Sequence, residues 1–134
     1  MIGKMIGPFR VIGQLDNVGV GEVYLAEDTR VGRRVALKLV AAGLKSNTTV
    51  VRRFERQTQN AVALAHPHLA EVYEAGTFEA RPFIAMEYVA GRTLAQKLAA
   101  AGPMNHREVA RVAEAVADAL GYAHGLGLLH GGLK

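Results

Sequence analysis

The apolar pattern of this 134-residue chain runs at a period of two, then of about 3.6, then of two again, and closes at 3.6, an order that restricts the fold more than any single residue does. Phe9 to Leu15 and Glu22 to Asp28 alternate or run β-branched, and Asp16 to Gly21 between them carries turn chemistry, which predicts a hairpin. Arg34 to Val40 is a third strand reached through a turn at Gly32. From Val50 the period becomes helical: Val50, Phe54, Gln57, Ala61 and Leu64 fall on one face, so one polar residue, Gln57, is expected in the inward stripe. The helix stops before Pro67, and strands at about Leu69 to Ala75 and Pro82 to Tyr88 follow, joined by a turn containing Gly76.

After Gly91 the chain turns helical. Thr93 with Gln96 three residues on reads as a capping box for a short helix ending at Gly102, before Pro103. Asn105 with Glu108 opens a longer helix with Val109, Val112, Val116 and Leu120 on one face, fading at Gly125 and Gly127. The expected class is α+β, and the shift at Gly91 is the best internal boundary.

Composition narrows the function classes. Half the residues are hydrophobic and 21% are charged, which fits a chain with a buried core and excludes a disordered tail. Lys38, Arg53, Arg92 and Arg111 keep every apolar stretch below the ~18 residues of a membrane span. Met1 to Pro8 lacks the apolar core of a signal peptide, and without cysteine there is neither a disulfide framework nor a thiolate metal site. A cytoplasmic location is the expectation. The net charge of +4 is scattered along the chain rather than gathered beside aromatics, so no nucleic-acid groove is expected. His66, His68, His106 and His124 lack acidic companions at ligand spacing, and no metal site is predicted from them.

A family resemblance rests on motifs that occur in one order and at one spacing: Phe9-Arg10-Val11-Ile12, Gly21-Glu22-Val23-Tyr24-Leu25-Ala26, Val35-Ala36-Leu37-Lys38, Arg53-Phe54, His66-Pro67, Met86-Glu87-Tyr88-Val89, Tyr122-Ala123-His124 and His130-Gly131-Gly132-Leu133-Lys134. The chain resembles the bacterial serine/threonine protein kinases of the eukaryotic-like superfamily. The resemblance implies a kinase-like N-lobe over residues 1–88, with a five-stranded antiparallel sheet and one helix, a hinge at 89–92, and a partial C-lobe at 93–134.

The resemblance also assigns roles. The family's glycine-rich loop, G-x-G-x-x-G, cradles ATP phosphates on backbone N–H groups. Here Asp16 and Val18 replace the first two pattern glycines, while Gly19 and Gly21 remain, so phosphate cradling is expected to be impaired. Lys38 matches the lysine that grips the α and β phosphates, and Gln57 stands where its helix glutamate partner would be. Glu55 cannot substitute, because two residues are about 200° around a helix. Met86 matches the gatekeeper; the backbone of Glu87 and Val89 would hydrogen-bond adenine, with Leu15, Val23 and Ala36 as its apolar sandwich.

In the catalytic loop the family reads H-R-D-L-K, and this chain has Gly131 and Gly132 for the Arg and the proton-accepting Asp, with Lys134 matching the loop lysine as the last residue. The Mg²⁺ ligands of the family lie beyond it, so no metal ligand is expected in this sequence. The resemblance therefore implies a truncated kinase-like domain, catalytically inactive, with a weak ATP or adenine pocket. The alternative is the N-terminal fragment of a longer ATP-dependent serine/threonine kinase. The Val109, Val112, Val116 and Leu120 stripe, expected to be exposed, suggests a protein partner or self-association.

Overall fold

The computed structural model describes residues 2–18, 21–62, 64–91 and 93–126, without the side chains of 16–18. Its strands are β1 (Met5–Ile6), β2 (Phe9–Val18), β3 (Gly21–Asp28), β4 (Arg33–Val40), β5 (Val72–Phe78) and β6 (Arg81–Glu87); its α-helices are α1 (Thr48–Val62), α2 (Leu94–Ala101) and α3 (His106–Gly125). The described residues divide into two compact units, one of Met1–Ala65 with Ala70–Tyr88, the other of His66–Leu69 with Val89–Lys134.

The first unit is built on one antiparallel sheet in the order β1-β2-β3-β4-β6-β5. It has six strands rather than the expected five, because Met5 and Ile6 pair with Arg10 and Phe9 in a two-residue strand too short to show a period. Alternation along β4 sends Val35, Leu37 and Leu39 to a core shared with Ile6, Phe9, Val11, Tyr24, Ala26, Phe83 and Ala85. Phe9 and Phe83 meet there edge to face, with ring centroids 6.2 Å apart. On the opposite face Val40 and Ile84 pack against Phe54 of α1, with Leu44, Val50 and Met86 around them. Both faces of β4 are covered, so it reads as a nearly unbroken apolar run interrupted by Lys38. Each such side chain contributes roughly 1.5–3 kcal/mol on burial.

The hairpin of β2 and β3 is longer than the sequence suggests. Asp16, Asn17 and Val18 are not turn residues; they pair with Val23, Glu22 and Gly21. Register shifts between Val11 and Gly13, and again between Gln14 and Asp16, let the ladder continue by absorbing one residue each. The last hairpin also turns elsewhere. Gly76 lies within β5, and the turn is made by Glu79 and Ala80, both at positive φ (49° and 63°). Neither residue type advertises that conformation.

Helix α1 is entered through Asn47, whose Oδ1 accepts from the Val50 N–H at 3.2 Å and whose carbonyl accepts from the Val51 N–H at 3.0 Å. Its buried residues are Phe54 and Thr58. Gln57 is exposed, so the inward polar residue is its neighbour. Thr58 can be buried because its Oγ1 donates to the Phe54 carbonyl one turn back at 2.8 Å.

In the second unit the expected caps form. Thr93 Oγ1 accepts from the Gln96 N–H and Gln96 Oε1 from the Thr93 N–H, closing the capping box of α2, which ends at Gly102 with φ 76°. Asn105 Oδ1 accepts from the Glu108 N–H at 2.9 Å to start α3. The stripe on α3 is only partly exposed: Val109 and Val116 are open, Val112 and Leu120 are half-buried, and Ala119 is the buried residue of the helix.

Candidate nucleotide-facing site

The register of the central strands assembles the candidate residues. Lys38 on β4 pairs with Val23 on β3 and with Ile84 on β6; two residues earlier on the same face, Ala36 pairs with Leu25 and with Met86. Period-two alternation thus places Val23, Ala36, Lys38 and Met86 on the sheet face that also receives α1. Ala36 is buried, and Val23, Lys38 and Met86 are half-buried. The result is an apolar floor with one ammonium group beside it.

The other candidates are placed less uniformly. Leu15 sits at the second register shift and is exposed. Gly21 begins β3, paired with Val18 and Val40. Glu87 ends β6; its N–H donates to the Glu71 carbonyl at 2.8 Å, and its Oε1 accepts from the Glu71 N–H at 3.2 Å. Val89 belongs to the second unit and is exposed. Gly19 and the stretch His130 to Lys134, with Gly132, lie outside the described residues.

Lys38 and Gln57 line one cavity of about 140 Å³, together with Thr49, Val50, Arg53 and Phe54. Among the described residues no carboxylate lines it. Gln57 is therefore brought to Lys38's cavity by the helix, although among the described residues no hydrogen bond joins the two.

Two polar clusters on the opposite face of the sheet have no simple sequence signal. Arg81, 6% exposed, donates from Nε to the Val40 carbonyl at 2.7 Å and from Nη2 to Glu22 Oε2 at 3.1 Å, while the Tyr24 hydroxyl donates to the same carboxylate oxygen. The Tyr24 hydrogen bond, helped by Arg81, holds the Glu22 carboxyl below its usual range; burial, then Glu22, pushes the Tyr24 phenol up. Farther along β3, the buried Asp28 is gripped by Arg30 through Nε and Nη2 at 3.0 Å each, and Arg30 also reaches Glu74 at 2.8 Å. The Arg30 hydrogen bond outweighs burial and lowers the Asp28 carboxyl. Glu22 and Tyr24, two apart on one strand, share a face by alternation; Arg81 comes from far along the chain and could not be matched to them by spacing.

The protein kinase domain family matches residues 9–134. The chain belongs to the protein kinase family. The serine/threonine-protein kinase PrkC of Bacillus subtilis is 33% identical over 135 residues, covering 100% of this chain and 21% of that protein. The serine/threonine-protein kinase PknF of Mycobacterium tuberculosis is 37% identical over 134 residues, covering 98% of this chain and 28% of that protein. A crystal structure of a double mutant of the Mycobacterium tuberculosis PknI kinase domain superposes with a TM-score of 0.86 at 35% identity, covering 100% of this chain and 54% of that one. This kinase-family chain thus spans about half the length of the solved kinase domains it matches and about a quarter of the curated relatives. Among its described residues no helix is long and apolar enough to cross a membrane.

Proposed function

We propose that the first unit is a kinase-type nucleotide-binding face that keeps an adenine floor and does not support phosphoryl transfer. The observation that carries this reading is the register that puts Val23, Ala36 and Met86 on one face with Lys38, across a cavity where the helix supplies Gln57 in place of a carboxylate. An apolar floor suits a flat purine, and it depends on side-chain bulk rather than on charge. Phosphoryl transfer depends on positioned charge. Gln57 can accept a hydrogen bond from Lys38 but cannot hold it as an ion pair, and Gly132 offers no side-chain carboxylate to take the proton of a substrate hydroxyl.

Calorimetry and a transfer assay test the two halves of the reading. Adenosine should bind about as tightly as ATP, with little gain from Mg²⁺, and no label should pass from ATP to the chain or to a generic acceptor. ATP binding far tighter than adenosine with strong Mg²⁺ dependence, or label incorporation that vanishes in Lys38→Ala, would refute it. A second reading, that the chain is the N-terminal portion of a longer ATP-dependent serine/threonine kinase, is favoured by the share of each relative that it spans. The adenosine comparison applies to either.

A further inference from the structure

The sheet of the first unit ends on β5, which among the described residues pairs only with β6. The two-residue turn at Glu79 and Ala80 makes Phe78 and Arg81 a hydrogen-bonded pair, so by alternation Gly76 and Phe83 form another, whereas Thr77 with Pro82 and Ala75 with Ile84 do not. Pro82, which has no N–H to give, thus sits in a pair that needs none. Ala75 and Thr77 therefore turn their N–H and C=O groups away from β6 toward the open side of the strand, and residues 75–77 are all exposed. Edges are ordinarily blunted by charge, proline or a bulge. Residues 75–77 carry neither charge nor proline, and the register shift of β5 lies earlier, between Val72 and Glu74. Two donors and two acceptors are presented on an uncharged edge.

Beside that edge lies a cavity of about 180 Å³, walled by Phe54 and Thr58 of α1 and by Ala75, Thr77 and Pro82 of the sheet. It shares only Phe54 with the cavity of Lys38. Its volume is below the roughly 300–1,000 Å³ of a site that encloses a drug-sized ligand, and it is of the order of one large apolar side chain. Glu55 is the one charged residue among its described lining residues, and that exposed carboxylate makes no ion pair or hydrogen bond with a described residue. We propose that the β5 edge at Ala75 to Thr77 takes up an extended segment of a partner protein as an added strand, with one large apolar side chain in the cavity and a lysine or arginine on the same face against Glu55. Strand addition draws affinity from main-chain hydrogen bonds and specificity from pockets for alternate side chains. A residue opposite Ala75 or Thr77 points to the face of Ile84 and α1, where the cavity lies, and residues two away share that face. A second copy of this chain does not fit: β5 paired with itself brings only Ala75 and Thr77 to that face, and neither fills the cavity.

The test titrates the nitrogen-15-labelled full chain with a capped, symmetric heptapeptide, Val-Lys-Thr-Leu-Thr-Lys-Val, which offers a leucine flanked by same-face lysines in either strand direction. Saturable shifts centred on the Ala75, Gly76 and Thr77 amides are expected, with slower hydrogen exchange at Ala75 and Thr77. Serine in place of the leucine should weaken binding about tenfold or more, and so should Ala75→Leu, which fills the cavity from an exposed position. Glu55→Lys, also at an exposed position, should reverse the preference between this peptide and one with glutamates for the lysines. The peptide needs no nucleotide, so this result and the adenosine comparison are separate. No saturable shift at those amides, equal affinity for the leucine and serine peptides, or an unchanged preference in Glu55→Lys overturns the proposal. Concentration-dependent self-association of the free chain that moves the same amides would assign the edge to a second copy and overturn it as well.

Discussion

Arg81 and Glu22 join the far side of the sheet to the hairpin strand β3: a guanidinium 6% exposed donates Nη2 to the Glu22 carboxylate at 3.1 Å while its Nε satisfies the Val40 carbonyl at 2.7 Å. One side chain thus ties β6 to β4 and β3 near the end of the sheet from which Lys38 projects. Removing it by Arg81→Met leaves a carboxylate without its cation and a carbonyl without its donor. Urea unfolding should show a loss of about 2–4 kcal/mol. With Glu22→Gln already present the same change should cost clearly less, and purely additive losses would show that the pair is not coupled.

The acid limb of stability should depend on Asp28. Its carboxyl is held below the usual range by Arg30, so it contributes stability that is present above the unfolded carboxylate pKa of about 4 and is lost as pH falls through the folded value. Asp28→Asn should melt lower than wild type at pH 7, and the difference should shrink as pH drops below about 4. A difference constant over that range would assign the loss to packing and not to the charge.

Gly76 is expected to resist any side chain. A Cβ there would lie 2.9 Å from Phe83 Cζ and 3.0 Å from Cε1, and that ring is fixed edge to face against Phe9 in the core. Gly76→Ala should cost roughly 1–3 kcal/mol by overpacking. Phe83→Leu also destabilises, but it opens the space, so chemical denaturation of the double variant should show less than the summed loss.

Local signals in the sequence translated directly into structure, and non-local ones did not. Thr93 with Gln96, and Asn105 with Glu108, became caps because every group involved lies within one turn. Val23, Ala36, Lys38 and Met86 were named in the sequence through the family resemblance alone; that they share one face follows from the register of β3, β4 and β6, which a one-residue slip would have undone. The extension of β2 through Asp16 to Val18 was hidden, since two residues absorbed at register shifts break the alternation that a strand is read by. Gln57 and Thr58 are adjacent polar residues on α1, and the wheel alone does not choose between them; the Thr58 hydroxyl can be satisfied by the Phe54 carbonyl, and the longer amide goes to the cavity. Membership of a kinase family was legible throughout, because it rests on residue order rather than on packing.

His66 supplies the last prediction. Its Nδ1 accepts from the His68 N–H at 3.1 Å, which requires an unprotonated Nδ1, so the proton of the neutral ring is on Nε2, 3.2 Å from Asp118 Oδ2 on α3. The ring also lies 5.3 Å from that of Tyr122. The imidazole is 11% exposed and Asp118 is 66% exposed, so the fastening of the 66–69 loop to α3 should rest on the ring and its backbone bond more than on the ion-pair geometry. Nitrogen-15 shifts should therefore report the Nε2–H tautomer at neutral pH. His66→Ala should cost about 1–3 kcal/mol and speed amide exchange at His68 and Leu69, whereas Asp118→Ala should cost less than about 1 kcal/mol and leave those amides protected. Equal losses in the two variants would show that Asp118 and not the backbone bond sets the ring, and an Nδ1–H tautomer would overturn both contacts.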